Sequence, residues 1–270
     1  MARVAIVTDS TAMLPSDLGD AAELITSVPL QVIVDGTSYD DGVEETSPEA
    51  LLTALAAHKT VTTSRPSPAL LAEVYAKLAA QGFEEIVSIH LSAELSATCE
   101  SSMLAAREAP VPVVTVDTRL VGPGVGFAVL AAAAVAGRGG SAAEAREAAL
   151  ARVAATRSYF YVDTLEYLRR GGRIGAAAAL LGTALAVKPL LTIEEGRVVP
   201  YERVRTAERA IARLQAQVSG IERAMFDPAS AESDLATLTM SELSRRRADL
   251  ARELEQAEAR WLGASERLEG

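Results

Sequence analysis

Val4-Ala5-Ile6-Val7 is a short aliphatic run without polar alternation, the pattern of a strand covered on both faces in a parallel sheet. It breaks at once into Thr8-Asp9-Ser10-Thr11, a loop rich in hydroxyls. The succession recurs. Glu85-Ile86-Val87-Ser88-Ile89 reads as an apolar strand, followed by the loop Leu91–Thr98 and a helix to about Arg107. Val113-Val114-Thr115-Val116-Asp117 is another strand, and Gly122-Pro123-Gly124-Val125-Gly126 leads from it into an alanine-rich helix. Pro29-Leu30-Gln31-Val32-Ile33-Val34 adds a further strand, closed by the turn signal Asp35-Gly36. Strand, loop and helix repeated in this way imply an α/β fold, a parallel sheet with helices on its faces.

Punctuation between these units is strong. Ser47-Pro48-Glu49 and Ser67-Pro68 each pair an N-cap serine with a proline at the first helical position, and the second helix ends at Gly82. Ser141-Ala142-Ala143-Glu144 is a capping box for a helix to about Arg157, and Pro15 suits a first helical turn. Thr62-Thr63-Ser64 reads as a third hydroxyl cluster, placed in a loop. Residues 159–218 differ: a strand at Tyr159-Phe160-Tyr161-Val162, a short helix over Thr164–Arg170 stopped by Gly171-Gly172, an Ala/Leu helix to about Val187, then a hairpin across Glu194-Glu195-Gly196 and a helix from Arg205. From residue 219 there is no lysine and no strand signal, and Leu250, Leu254, Ala257, Trp261, Ala264 and Leu268 recur at coiled-coil spacing. The expected organisation is a parallel-sheet domain over 1–157, a smaller, incomplete α+β domain over 158–218 and a helical tail over 219–270.

Bulk properties narrow the function. A net charge of −10 argues against nucleic acid as a main partner, because that ligand demands a basic face. The longest apolar runs, Phe127–Ala136 and Ala176–Val187, are too short to span a bilayer, and the N-terminus meets charge too soon to hold a signal-peptide apolar region. A lone cysteine, Cys99, forms no internal disulfide and suits a reducing compartment. A cytoplasmic protein with no integral membrane segment is expected.

Ser92, Ser96 and Thr98 lie where a strand ends and a helix begins, the crest at which open α/β sheets bind ligands and where free N–H groups favour an anion. The competing reading is that Ser92 or Ser96 caps the helix. Cys99 reads as a buried small apolar residue and His90 as a core histidine or, alternatively, a proton donor near Ser92. Gly122-x-Gly124-x-Gly126 is not a dinucleotide loop, since Phe127 stands where the third glycine belongs. Asp9, Asp117 and Asp163 are scattered carboxylates without metal-ligand spacing, so neither a metal nor a cofactor is expected.

Taken together, the loops resemble the DegV family of bacterial fatty-acid-binding proteins. Val7-Thr8-Asp9-Ser10-Thr11 resembles that family's opening strand and loop, and Thr62–Pro68 its Thr-Ser-Gln-Pro-Ser-Pro loop, with Arg65 replacing glutamine. Leu91–Ser102 is similar to its Ile-Ser-Ser-x-Leu-Ser-Gly-Thr-Tyr-Gln-Ser stretch, with Ala97 for glycine and Cys99 for tyrosine. Val116-Asp117-Thr118, Leu165–Ile174 and Lys188-Pro189-Leu190-Leu191 resemble three further signatures. The resemblance implies two α/β domains enclosing one long-chain fatty acid, whose carboxylate a non-enzymatic carrier presents to a separate fatty acid kinase for phospholipid synthesis. By the match, Thr63 or Ser64 and Ser92 contact the head group, Ser96 supports the loop, and Arg173 organises polar contacts nearby or docks the kinase. The family's C-terminal His-x-Gly-Pro-Gly turn has no counterpart after Arg205, and the chain's two histidines are His58 and His90. The tail from Ser241 to Leu262 instead resembles the C-terminal end of ABC-F type ATPases, without a phosphate-binding Gly-x-x-x-x-Gly-Lys loop anywhere in the chain. Two readings from other classes stand beside the carrier: a phosphoryl-transfer enzyme acting on a small molecule, and an interaction protein with a vestigial lipid site and a partner-binding helical tail.

Overall fold

The computed structural model describes residues 2–181, 188–204, 211–213, 215 and 216. Two compact units emerge. The first comprises the chain through Ala154 together with Glu194–Arg197, and the second comprises Ala155–Ile193 and the chain from Val198.

The first unit runs β1 (Val4–Asp9), β2 (Ile25–Val28), β3 (Gln31–Val34), β4 (Thr37–Asp40), α1 (Pro48–Ala56), β5 (Val61–Ser64), α2 (Pro68–Ala80), β6 (Glu85–His90), α3 (Thr98–Ala106), β7 (Val113–Asp117), α4 (Pro123–Ala136) and α5 (Ala142–Ala154). Strands β2, β1, β6 and β7 form a parallel sheet in that order, so the most apolar strands take the centre. Side chains alternate across it, as strand geometry requires. Val4, Ile6, Val87 and Ile89 pack with α4 and α5 on one face. Ala5, Val7 and Ile86 pack with Leu71, Tyr75 and Leu78 of α2 and Ala105 of α3 on the other. The α/β class and the parallel sheet expected from the sequence are both present.

The expected caps form. Ser47 and Ser67 accept hydrogen bonds from Ala50 N and Leu70 N, with Pro48 and Pro68 following each. Ser141 and Glu144 make the reciprocal capping box at the start of α5, although that helix ends at Ala154 rather than near Arg157.

Several expectations fail for identifiable reasons. Gln31–Val34 does not join the parallel sheet. Asp35 and Gly36, both at positive φ (47° and 85°), turn β3 straight back onto β4, and so short a connection makes only antiparallel neighbours. The resulting second sheet has the order β4-β3-β5. The parallel sheet instead gains Ile25-Thr26-Ser27-Val28, an edge strand that buries only its two ends and therefore lacks an aliphatic run. Thr62, Thr63 and Ser64 belong to β5, where they pair with Ile33, Val32 and Gln31, and not to a loop. Pro15 opens no helix. Met13 takes the left-handed conformation (φ 47°), and the next ordered turn is a 3-10 segment, Gly19–Glu23, whose first N–H is held by Asp17.

In the second unit, β8 (Tyr159–Tyr161) is followed by α6 (Glu166–Arg170), a 3-10 turn over Gly175–Leu180, β9 (Lys188–Glu194) and β10 (Arg197–Val204). The three strands form a sheet in the order β10-β9-β8. The expected hairpin is present, its turn made by Glu195 and Gly196 at φ 48° and 81°. The Ala/Leu stretch starts as the 3-10 turn rather than an α-helix, and its remainder over 182–187 lies outside the described residues, as do 205–210. Residues 211–213, 215 and 216 are helical, and the whole of the expected tail, 219–270, lies outside the described residues. Among the described residues no helix is long and apolar enough to cross a membrane.

Gly126 fixes how α4 meets the rest of the first unit, because a Cβ there would lie 2.4 Å from the carbonyl oxygen of Ala12. Gly126→Ala therefore requires backbone movement. We expect a loss of about 1–3 kcal/mol in a denaturant titration, as for other overpacked sites.

Candidate functional site

Strands β1, β6 and β7 end side by side, with Asp9, His90 and Asp117 at their last positions. Ser88 and His90 are two apart on β6 and so share the face toward α2 and α3. A buried polar group must find a partner there. Ser88 Oγ lies 2.8 Å from His90 Nε2 and 2.8 Å from the Tyr75 hydroxyl, which lies 2.8 Å from Ser102 Oγ; Ser102 in turn lies 2.8 Å from Thr115 Oγ1. At the other end His90 Nδ1 lies 2.9 Å from Asp9 Oδ2, both side chains being fully buried. A continuous polar chain thus runs from the helices to the sheet crest.

Asp9 is its charged end. Its Oδ1 accepts from Thr11 N at 3.1 Å and from the Thr11 hydroxyl, while Oδ2 accepts from His90 and from Leu91 N at 3.2 Å. Burial pushes the carboxyl pKa up, but the His90, Thr11 and Leu91 hydrogen bonds and the His90 charge outweigh it, and the net shift is downward. Since an ionised carboxylate only accepts, His90 Nδ1 carries a proton.

The loop after β6 is held residue by residue. Leu91 N donates to Asp9, Ser92 N to Leu120 O at 2.8 Å and Ala93 N to Asp117 Oδ1 at 3.2 Å. Ser92 is fully buried; its hydroxyl donates to Gly196 O at 2.8 Å and accepts from Glu94 N at 3.2 Å. Only glycine fits at position 196, since a Cβ there would stand 2.5 Å from Ser92 Oγ. Arg197 pairs with Glu94, and Arg119 pairs with Glu195, bracketing that turn. Ser96 Oγ lies 2.9 Å from Thr98 Oγ1. The helix-cap alternative fails: Ala97 occupies the N-cap of α3, and no side chain caps it.

The sequence-derived residues therefore divide. Ser92 and Ser96 share one crest loop. Thr63 and Ser64 are exposed on β5, and as consecutive strand residues they point to opposite faces, so at most one of them can face any given ligand atom. Arg65, just beyond, donates to Ala97 O at 3.1 Å and to Glu100 at 2.7 Å, tying the end of β5 to the start of α3. Arg173 belongs to the second unit, half-buried, with its backbone N–H donating to Leu168 O. His90 is the core histidine and no stand-in proton donor, because both its ring nitrogens face partners inside the sheet. Asp9 and Asp117, expected to be scattered, instead converge on one loop, and sequence reasoning missed Tyr75, Ser88 and Ser102. The available signal was an aspartate closing a strand immediately before hydroxyl residues, Asp9-Ser10-Thr11 and Asp117-Thr118. Among the described residues no group of side chains is arranged to hold a metal ion.

Cys99, 2% exposed, has its thiol pushed up to about 12 by burial and by the charges of Asp117 and Asp9. It will resist iodoacetamide at pH 8 in the folded protein and react once the chain is unfolded in urea. Asp9, with its pKa lowered by folding, stabilises the fold fully above the ordinary carboxylate range, and that contribution is lost as pH falls through the lowered value. Urea titrations should therefore show a stability gap between wild type and Asp9→Asn that is full at pH 7 and narrows below the ordinary carboxylate range.

Residues 3–257 match the family described as "Uncharacterised protein, DegV family". A DegV domain-containing protein of Streptomyces coelicolor is 56% identical over 212 residues, 78% of this chain and 75% of the relative. Among solved structures, one described as showing fatty acid binding by a DegV family protein from Thermus thermophilus is 41% identical, with a TM-score of 0.73 over 82% of this chain and 78% of that one. DegV of Bacillus subtilis, described as a fatty acid binding protein, is 30% identical, with a TM-score of 0.73 over 83% and 80%. The crest with its buried serine thus sits in a sequence and a fold that these proteins share, and the chain belongs to the DegV family.

Proposed function

We propose that this protein is a non-enzymatic carrier that binds a long-chain fatty acid and presents its carboxylate to a separate fatty acid kinase in the cytoplasm. The observation that carries this reading is Ser92, a buried hydroxyl at the crest of the parallel sheet, in a chain 41% identical to a Thermus thermophilus protein described as binding fatty acid. Ser92, Thr63 or Ser64, and Ser96 are the proposed surroundings of the head group. Neutral hydroxyls suit such a ligand because they hold a carboxylate by hydrogen bonds without neutralising it, leaving one oxygen free to attack a phosphoryl group; Ser92, whose single O–H goes to Gly196 O in the free protein, turns that proton to the head group on binding. Arg173 is assigned to polar support or to kinase docking. The proposed organisation is an α/β body of two parts, 1–157 and 158–218, followed by the tail 219–270.

Lipid extraction of the purified protein followed by mass spectrometry should release a long-chain fatty acid. Finding none, while the Thermus thermophilus homologue prepared in parallel is loaded, overturns the carrier reading. Ser92→Ala should lower the affinity for palmitate by about tenfold or more, the cost of one hydrogen bond to a charged group.

A further inference from the structure

Asp9 and Asp117 end the two strands that flank β6, and each bends its own chain in the same way. Asp9 Oδ1 accepts from Thr11 N at 3.1 Å, and Asp117 Oδ1 accepts from Arg119 N at 2.8 Å, both two residues ahead. Each then reaches sideways to the loop between them, Asp9 to Leu91 N and Asp117 to Ala93 N, both at 3.2 Å. Ser92 N, between those two, goes to Leu120 O. Three successive amides of an irregular loop are thereby engaged, two of them by carboxylates from opposite sides.

We propose that Asp9 and Asp117 are positioning residues that fix Ser92 at the crest, an inference that rests on Ser92 being the head-group contact. A carboxylate acceptor makes a stronger hydrogen bond to an amide than a neutral one does. It also keeps that bond only if it cannot swing into water. Asp9 is prevented from doing so by burial and by His90, itself held by Ser88. Asp117 is half-buried and is held by using one oxygen for two amides, Ala93 and Arg119. Neither aspartate is assigned contact with the ligand. Together they keep the amides on either side of Ser92 from rotating, so that the Ser92 side chain starts from a fixed backbone.

The test is residue-resolved amide hydrogen exchange on the full-length, ligand-free protein, with palmitate binding measured alongside. Asp117→Ala should speed exchange at Ala93 on the order of tenfold while leaving the amides of β1 and β6 at wild-type rates; Asp117→Asn, which keeps the oxygen both amides use but not its charge, should fall between Asp117→Ala and wild type. Asp9→Asn places a donor where Leu91 N–H and His90 Nδ1–H need an acceptor. Exchange at Leu91 should rise by a similar factor. Palmitate affinity should fall about tenfold in Asp117→Ala and recover in part in Asp117→Asn. Unchanged exchange at Leu91 and Ala93 overturns the proposal. So does a rise spread evenly through β1 and β6 in Asp117→Ala, or unaltered palmitate affinity in a variant whose loop has loosened. Absence of palmitate binding by the wild type overturns the carrier reading instead, and the exchange data still decide whether the two carboxylates hold the loop.

Discussion

The hydrogen bond between Asp9 and His90 is the contact on which the crest of the first unit depends. Asp9 ends β1 and shapes the turn after it, and His90 ends β6, so the pair locks two central strands of the parallel sheet together. Through Ser88 and Tyr75 the same chain reaches α2, and through Ser102 it reaches α3 and β7. A charge with no exposed surface is tolerated only while every donor around it is present; removal of a partner from such a pair costs on the order of 3–5 kcal/mol. The crest loop is therefore built on an arrangement that is either complete or strongly destabilised.

Local chemistry was legible in the sequence wherever a structure is decided within a few residues. Ser47, Ser67 and the Ser141–Glu144 box start helices as expected, and Asp35-Gly36 and Glu195-Gly196 turn the chain as expected. Strand partnership was not legible, because it is decided between distant segments. Gln31–Val34 has as aliphatic a composition as a central parallel strand, yet its partner is chosen by the turn that follows it. Thr62-Thr63-Ser64 has the hydroxyls of a loop but also the β-branched threonines of an edge strand, and pairing with β3 settles it as the latter.

The same division runs through the site. Ser92 stood out because a hydroxyl between a strand and a helix is a local signal. Its acceptor, Gly196, is 104 residues away, and Asp9 is 81 residues from His90, separations that leave no periodic trace. The helix-cap reading of Ser92 and Ser96 fell on one non-obvious fact, that Ala97 rather than a serine holds the cap position of α3. An alanine there gives no cap hydrogen bond, so sequence preference alone pointed to the wrong residue.

The two polar residues of β6 also bear on how the chain finds its fold. Ser88 and His90 alternate with Val87 and Ile89, which pack among the alanines and valines of α4 and α5. If β6 entered the sheet one residue out of step, every side chain would change faces. Ser88 and His90 would then meet an apolar helix layer that offers no acceptor, and Asp9 would lose its imidazole. A purely aliphatic β6 would suffer no such loss and would accept either alignment nearly equally. The polar chain beneath the crest thus acts as a key that admits one strand alignment and rejects its neighbour.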